Sequence, residues 1–415
     1  MRIAIIGSGI SGLTTAHLLS RRHEVTVFEA ADWIGGHTHT VDVQWQGQRY
    51  AVDTGFIVFN DWTYPNFIRL LDHLGVASRP TEMSFSVNDP DSGLEYNGNS
   101  LDALFAQRGN LLSPGFWGML RDIVRFNRQV VADLDGHRIE PGMGLGDYLH
   151  TRGYGQRFIH HYIVPMGSAI WSVSRADMLR FPLHFFVRFF RNHGLLSISR
   201  RPQWRVIEGG SRSYVEPLCK TFSERIRLNC PVTNVRRDDT GVVITSAAGQ
   251  ERFDKVVFAC HSDQALALLE KPTTSEHEVL GALEYAANEV LLHTDTRLLP
   301  SRRKAWASWN YRLGGPAHAP AAVTYNMNIL QGLDAPVTFC VSLNQGDSVD
   351  PSQVLARFNY AHPQYSLAAM AAQARQGELQ GNRHSYFCGA YWANGFHEDG
   401  VVSALDVAQR FGERL

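Results

Sequence analysis

The chain has 415 residues, 44% of them hydrophobic and 19% charged, with a formal net charge of −1. That length exceeds one ordinary core and suits two or three packed domains, and the near-neutral charge leaves no electrostatic footprint for nucleic acid. Five cysteines without CxxC or paired spacing argue against a disulfide frame and imply reduced thiols in a cytoplasmic setting. The chain shows neither a signal-peptide pattern nor an apolar run long enough to span a bilayer.

In chain order, Arg2-Ile3-Ala4-Ile5-Ile6 reads as a strand that runs into Gly7-Ser8-Gly9-Ile10-Ser11-Gly12 and a helix. A second strand follows, Glu24-Val25-Thr26-Val27-Phe28, ending on Glu29. This is the form of a dinucleotide-binding βαβ unit. Gly7 permits the tight turn, Gly9 lets backbone approach a pyrophosphate, and Gly12 lets the helix pack on the sheet. The helix N-terminus, with Ser11 in its first turn, offers free N–H groups to the phosphates. Glu29, twenty residues past Gly9, is placed to accept hydrogen bonds from ribose hydroxyls. An acid there disfavours NADP, and the unit alone does not separate NAD from FAD.

Further along, amphipathic helices are predicted near 115–134, 155–170 and 180–193. The last carries Phe181, Phe185, Phe186, Phe189 and Phe190, with Arg180, His184, Arg188 and Arg191 on the remaining arc. It reads as a packed core helix, as the wall of an acyl tunnel, or as a basic helix on anionic lipid. His160 and His161 diverge by about 100° on a helix, with no third ligand spaced to join them, so no metal site is expected. Glu208-Gly209-Gly210-Ser211 opens a helix through Leu218. After it, Ile226–Leu228, Val232–Arg236, Gly241–Thr245 and Lys255–Cys260 read as strands of one sheet. Alternating runs within 285–345, such as Ala321–Asn326 and Val337–Ser342, fit an antiparallel sheet that roofs a ligand site. Ser385–Ala390 reads as a strand, followed by a turn and a helix from about Val401 to Arg410. The predicted fold class is α/β. A Rossmann-like domain is split over 1–75, 205–265 and 384–415, and an α+β substrate domain is inserted as 76–204 and 266–383.

Several stretches bear a family likeness. Gly35-Gly36-His37-Thr38 looks like a second glycine pair beside flavin phosphates, and Asp53-Thr54-Gly55 like a step that precedes the flavin ring. Glu208-Gly209-Gly210-Ser211 looks like a central glycine pair. Val232 and Val235 look like the residues of an adenine contact. Gly389 with Gly395-Phe396-His397-Glu398-Asp399-Gly400-Val401 looks like a C-terminal flavin motif. On these residues the chain resembles the flavin amine oxidase superfamily, which includes monoamine oxidases, protoporphyrinogen oxidase and phytoene desaturases. The resemblance implies FAD. It places Glu398 by the ribityl chain or pyrophosphate, Gly400 where backbone nears the ring, and the Val401 N–H as a donor to reduced flavin. Trp171-Ser172, Phe181 to Phe190, Trp204 and the Gly395 to Gly400 ending resemble a subgroup found beside cyclopropane-fatty-acyl synthases, which implies a lipid acyl substrate.

The chain also departs from the better-known members. The stretch matching their substrate-side lysine, Asn288 to Asp295, has none; His293 is the nearest polar residue and is taken as catalytic. Phe396 matches one of two rings over the flavin, with Tyr391 and Trp392 as options for the second. The usual arginine after the second glycine pair is His37, which weakens that phosphate contact or leaves it to another residue. No cysteine matches the covalent-flavin position, so FAD is expected to be non-covalent. The expected reaction is C–H oxidation by hydride transfer to flavin N5 on a fatty acyl or other lipid chain. Amine oxidation without the lysine and FAD-dependent double-bond isomerisation are the alternatives. A cytoplasmic enzyme is expected, with peripheral membrane contact through the phenylalanine-rich helix as one option.

Overall fold

The structure is a computed structural model and describes residues 1–197 and 199–415. Its organising element is a five-stranded parallel sheet. The strands are β1 (Arg2–Ile6), β2 (Glu24–Phe28), β3 (Ile226–Arg227), β4 (Lys255–Phe258) and β5 (Ser385–Phe387), in the order β3-β2-β1-β4-β5. Ile5 pairs with Val27 on one side and Val257 on the other, and all three are fully buried. Continuous apolar strands of this kind need cover on both faces. One face is covered by helix α1 (Ile10–Leu19), whose neighbour is the C-terminal helix, here α4 (His397–Arg410). The strands come from near the N-terminus, the middle and the C-terminus, so the sheet closes only when distant parts of the chain meet.

The second sheet has seven strands in the order Val354–Pro363, Tyr285–His293, Cys340–Leu343, Val323–Asn326, Trp309–Arg312, Phe85–Asp89 and Leu94–Asn97. It is antiparallel except where Trp309–Arg312 runs parallel to Phe85–Asp89. The alternating runs of 285–345 are therefore joined by two strands from much earlier in the chain. Helices α2 (Pro114–Asp135) and α3 (Leu183–Asn192) pack beside it in one large apolar cluster. In α3, Leu183, Phe185, Phe186, Val187, Phe189 and Phe190 are all buried. Phe181 is extended, at φ −61° and ψ 137°, as a residue before proline is pushed to be. That separates α3 from the helix Arg175–Arg180, so the helix predicted over 180–193 begins at Leu183.

Two expectations are corrected. The strands of 226–260 do not form one sheet: Ile226–Arg227 and Lys255–Phe258 enter the parallel sheet, whereas Val232–Asp238, Gly241–Ser246 and Gly249–Phe253 form a separate antiparallel meander. Two-residue connections, Asp239-Thr240 and Ala247-Ala248, permit only hairpins; a parallel neighbour needs a crossover of a dozen residues or so. The C-terminal helix starts at His397 and not near Val401. Glu398 and Asp399 in its first turn favour that earlier start, and Asp399 accepts from the Phe396 N–H at 2.9 Å. Among the described residues no helix is long and apolar enough to cross a membrane.

Cofactor cradle and candidate active site

Gly7 leaves β1 at φ 107°, and a Cβ there would lie 2.8 Å from the Ala259 carbonyl oxygen just beyond β4. At Gly12 a Cβ would lie 2.0 Å from the Gly7 oxygen. Packing of strand, turn and helix demands both glycines. Gly9 is different: among the described residues no atom lies within 4 Å of a Cβ built on it. Gly36, at φ 58°, backs onto it, with its own Cβ position 3.1 Å from Gly9 Cα. The two glycine turns also bridge each other through Gly9 and Gly35. Helix α1 has Gly9 as N-cap, no side-chain cap and no acid in its first turn. The N–H groups of Ile10, Ser11 and Gly12 therefore lack intrahelical acceptors at the positive end of the helix. A diphosphate fits the open space at Gly9 and these donors.

Glu29 is fixed beside this cradle. Its Oε2 accepts from the Ser8 N–H at 2.8 Å and the Ser8 hydroxyl at 2.7 Å, and Oε1 accepts from the Ala31 N–H at 2.9 Å. Of the roughly four acceptor positions of a carboxylate, one remains for a ribose hydroxyl. Val235 lies within the meander with no exposed surface, against Ala4, Ile6 and Phe28. Its carbonyl already accepts from the Glu270 N–H at 3.2 Å. The adenine contact expected of Val235 has no surface to act through.

Asp53 has a structural place. Its buried carboxylate accepts from the Thr40 hydroxyl at 2.6 Å, the Ser211 N–H and hydroxyl at 2.9 Å each, and the Gln331 amide at 2.8 Å. Burial outweighs these donors and raises its pKa to about 6. The glycine pair of 209–210 serves this joint: a Cβ on Gly210, at φ 90°, would stand 2.6 Å from Thr40 Cγ2. Gly55 lies flat on the next segment, its Cβ position 2.2 Å from the His37 oxygen, while Thr54 donates toward the His39 carbonyl at 3.2 Å.

His37 points into a cluster of imidazoles. Its Nε2 is buried without a partner, and its ring lies 5.1 Å from Tyr360, 5.7 Å from His362 and 6.1 Å from His261. Burial, reinforced by the mutual repulsion of the rings, lowers His37 to about 4, His261 to about 4 and His362 to about 3. All three are neutral at neutral pH, so His37 brings no fixed positive charge in place of an arginine. His362 Nδ1 sits 3.0 Å from the Ser172 hydroxyl and 3.4 Å from Asn288 Nδ2. Ser172 holds φ 55° at a helix end, uncommon for a residue with a Cβ. Asn288 Oδ1 accepts from Asn344 at 2.8 Å. The sequence pointed to His37 and Ser172 but not to the cluster, whose members lie hundreds of residues apart.

His293 is not in this cluster. Asn288 and His293 share one strand, five residues apart, which at about 3.4 Å per residue separates them by about 17 Å. His293 pairs with Cys340 and Val354 at the far end of the sheet. It is fully buried, with Nε2 2.8 Å from the Ser342 hydroxyl and Nδ1 accepting from the Asp295 N–H at 3.1 Å. The strand that lacks a lysine presents Asn288, not His293, to the histidines.

At the start of α4, Phe396 stacks on Phe189 at 5.1 Å and lies 6.0 Å from His193. Tyr391 and Trp392 belong to a different core with Phe258 and Phe387, so neither pairs with Phe396. Gly389 is buried and donates to the Ser403 hydroxyl at 2.8 Å. Where Gly400 lacks a Cβ, Ile10 and Ser11 approach to 2.7 and 3.0 Å, so the helices α1 and α4 take up that space. Val401 has no exposed surface, and in a helix beginning at His397 its N–H is bonded internally; the free donors are those of His397, Glu398 and Asp399. The His397 ring stacks on Phe56 at 3.5 Å and its Nε2 lies 3.0 Å from the Thr38 hydroxyl. A cavity of about 390 Å³ adjoins this start, lined by Trp62, His193, Asn394, Phe396, Glu398 and Asp399 among others.

Glu398 itself caps another helix. Its two oxygens accept from Asn66 N–H at 3.1 Å, Asn66 Nδ2 at 2.7 Å and Phe67 N–H at 2.8 Å, at the N-terminus of the helix Pro65–Leu74. Glu398→Ala should therefore lower stability by about 1–2 kcal/mol through the lost cap and leave flavin content unchanged. Thermal unfolding together with the flavin-to-protein ratio checks this; intact stability with lost flavin would return Glu398 to the cofactor. Of the predicted cofactor residues, Gly7, Gly9, Glu29, Gly36, His37, Gly55 and Phe396 keep surface open to a ligand.

Residues 10–317 match the family described as flavin containing amine oxidoreductase. No curated protein matches the sequence. Among solved structures the chain is similar to a putrescine oxidase triple mutant, at 14% identity and TM-score 0.70, covering 99% of this chain and 98% of that one. It is similar to cyclohexylamine oxidase from Brevibacterium oxydans IH-35A, at 15% identity and TM-score 0.68, covering 99% of each. It is also similar to a CLA-producing fatty acid isomerase from P. acnes, at 15% identity and TM-score 0.69, covering 99% and 98%.

Proposed function

This chain belongs to the flavin-containing amine oxidoreductase family and is an FAD-dependent oxidoreductase; from that premise we propose that it oxidises a C–H bond of a fatty acyl or other lipid chain. In this reading FAD is held non-covalently by 1–75, 205–265 and 384–415, and the substrate by 76–204 and 266–383. Backbone N–H groups of Ile10 to Gly12 hold the diphosphate over Gly9, and Glu29 takes a ribose hydroxyl. The free N–H groups at the start of α4 stabilise negative charge on the ring system. When bound, FAD supplies a hydride acceptor, its N5. The chain's own residues orient the substrate and exclude water; His37 and His362, neutral at neutral pH, can hydrogen-bond a substrate without placing charge beside it.

One observation carries the lipid reading: Phe396 of the flavin motif stacks on Phe189 of the phenylalanine-rich helix, so that the ring beside the cofactor motif is backed by aromatic and aliphatic side chains. The absence of a lysine at the histidine cluster is consistent with it. A second observation favours amines: Glu398 and Asp399 line the same cavity as Trp62 and Phe396, and carboxylates beside aromatic faces suit an ammonium group. Anaerobic mixing of the holoenzyme with acyl lipids and with a panel of amines separates the two. Bleaching of the flavin by acyl lipids alone is expected. Bleaching by amines alone removes the lipid reading, and product formed from an unsaturated lipid without bleaching means isomerisation.

A further inference from the structure

The segment 101–121 forms an apolar tip that packs against nothing on its outer side. Leu112 is 88% exposed, Leu101 77%, Trp117 50% and Leu111 46%. They stand together: Trp117 leans on Phe105 with ring centroids 5.4 Å apart, and its indole N–H donates to the Leu111 carbonyl at 2.9 Å. With its single donor satisfied internally, the exposed part of the indole is apolar. Scattered exposed leucines need no explanation, but a contiguous group on one tip does.

The surroundings of the tip are basic. Arg121 lies one helical turn beyond Trp117 on α2, with its side chain 78% exposed. Arg108 is exposed within the tip. Lys304 pairs with Asp102 at 2.9 Å, which brings the exposed run Arg302-Arg303-Lys304 to the same edge. Against these cations stand Asp102, which pairs with both Arg108 and Lys304, and two nearly buried acids, Asp122 beside Arg121 and Glu95 under Arg302. Apolar side chains ringed by arginine and lysine match the chemistry of an anionic bilayer surface. The phenylalanine-rich α3 cannot take that part, because its apolar side chains are all inside.

We infer that the tip around Leu111, Leu112 and Trp117 docks the protein on membranes bearing anionic headgroups, with Leu112 and Trp117 entering the interface and Arg121 and Lys304 facing the phosphates. Docking involves neither the flavin cradle nor turnover, so it stands or falls separately from the substrate reading.

The test is sedimentation of the flavin-loaded protein with vesicles of phosphatidylcholine, with or without phosphatidylglycerol. The protein should pellet with the anionic vesicles, less so as salt rises, and stay in solution with phosphatidylcholine alone. Leu112→Asp should weaken binding at least tenfold, and Arg121→Gln and Lys304→Gln by about fivefold each, all with unchanged flavin content. Leu112→Asp changes a side chain that is almost wholly solvent-exposed, so misfolding does not cloud it. Failure of the wild type to pellet with anionic vesicles at low salt, or unaltered binding by Leu112→Asp, overturns the inference. So does a dimer that Leu112→Asp dissociates, since a second copy would then be what covers the tip.

Discussion

Gly9→Val is expected to fold like the wild type and to lose its flavin. The two halves of that result have separate physical origins. The valine side chain has space, because no atom of the described residues lies within 4 Å of the added Cβ. The backbone at Gly9 is extended, with φ −68° and ψ 177°, a conformation a β-branched residue adopts without strain. The apoprotein should therefore match flavin-free wild type in stability to within about 0.5 kcal/mol. The space in question is the one beside the free N–H groups of α1, where a diphosphate must lie. Filling it should weaken flavin binding at least a hundredfold, or about 3 kcal/mol. Gly12→Val is the contrasting case: its Cβ would stand 2.0 Å from a backbone oxygen, so it should fail to fold before flavin is considered. The flavin-to-protein ratio after gel filtration, with circular dichroism on the same samples, checks both. A Gly9→Val protein that keeps its flavin would show that the cradle lies elsewhere.

How much of this was legible in the sequence depended on the range of the contacts. The βαβ unit could be read because every requirement on it is local: apolar strands, glycines at fixed offsets, an acid at the end of β2. The topology of the middle segment is not legible in this way, because β-branched runs mark strands without saying which sheet they join; the length of the connections decides that. The start of α4 was placed a turn too late because Gly395 and Gly400 looked like turn glycines, whereas Gly400 sits inside the helix and serves its contact with Ile10 and Ser11. His293 is the nearest polar residue in the stretch that lacks the lysine, but a strand of nine residues has two ends about 27 Å apart. Nothing in the sequence says which end meets the glycine turns. Glu398 and Asp53 looked like ligand-binding acids for a similar reason. Their partners, Asn66 and Phe67 for one and Thr40, Ser211 and Gln331 for the other, are brought to them only by the tertiary fold.

Asp53→Ala is expected to cost several kcal/mol of stability without preventing folding. The carboxylate joins an early hairpin, the central glycine pair and Gln331 beside the second sheet, and all of its donors are buried with it. Removing it leaves the buried Ser211 N–H and Gln331 amide without this acceptor, and leaves the Thr40 and Ser211 hydroxyls only each other, at 3.3 Å. Each unsatisfied donor carries a desolvation penalty, and the sum should reach about 3–5 kcal/mol. Asp53→Asn keeps the shape and one acceptor oxygen and should be milder. Its pH dependence identifies the charge. With a folded pKa of about 6 against an ordinary value near 3.8, the native state holds this proton more tightly than the unfolded chain. The stability Asp53 contributes is therefore greatest below about pH 4 and is lost as pH rises through 6. Asparagine has no such titration, so Asp53→Asn should gain on the wild type between pH 4 and pH 7. Denaturant unfolding of the three proteins at both pH values measures all of this. A loss below about 1 kcal/mol for Asp53→Ala would mean that the joint closes without its carboxylate.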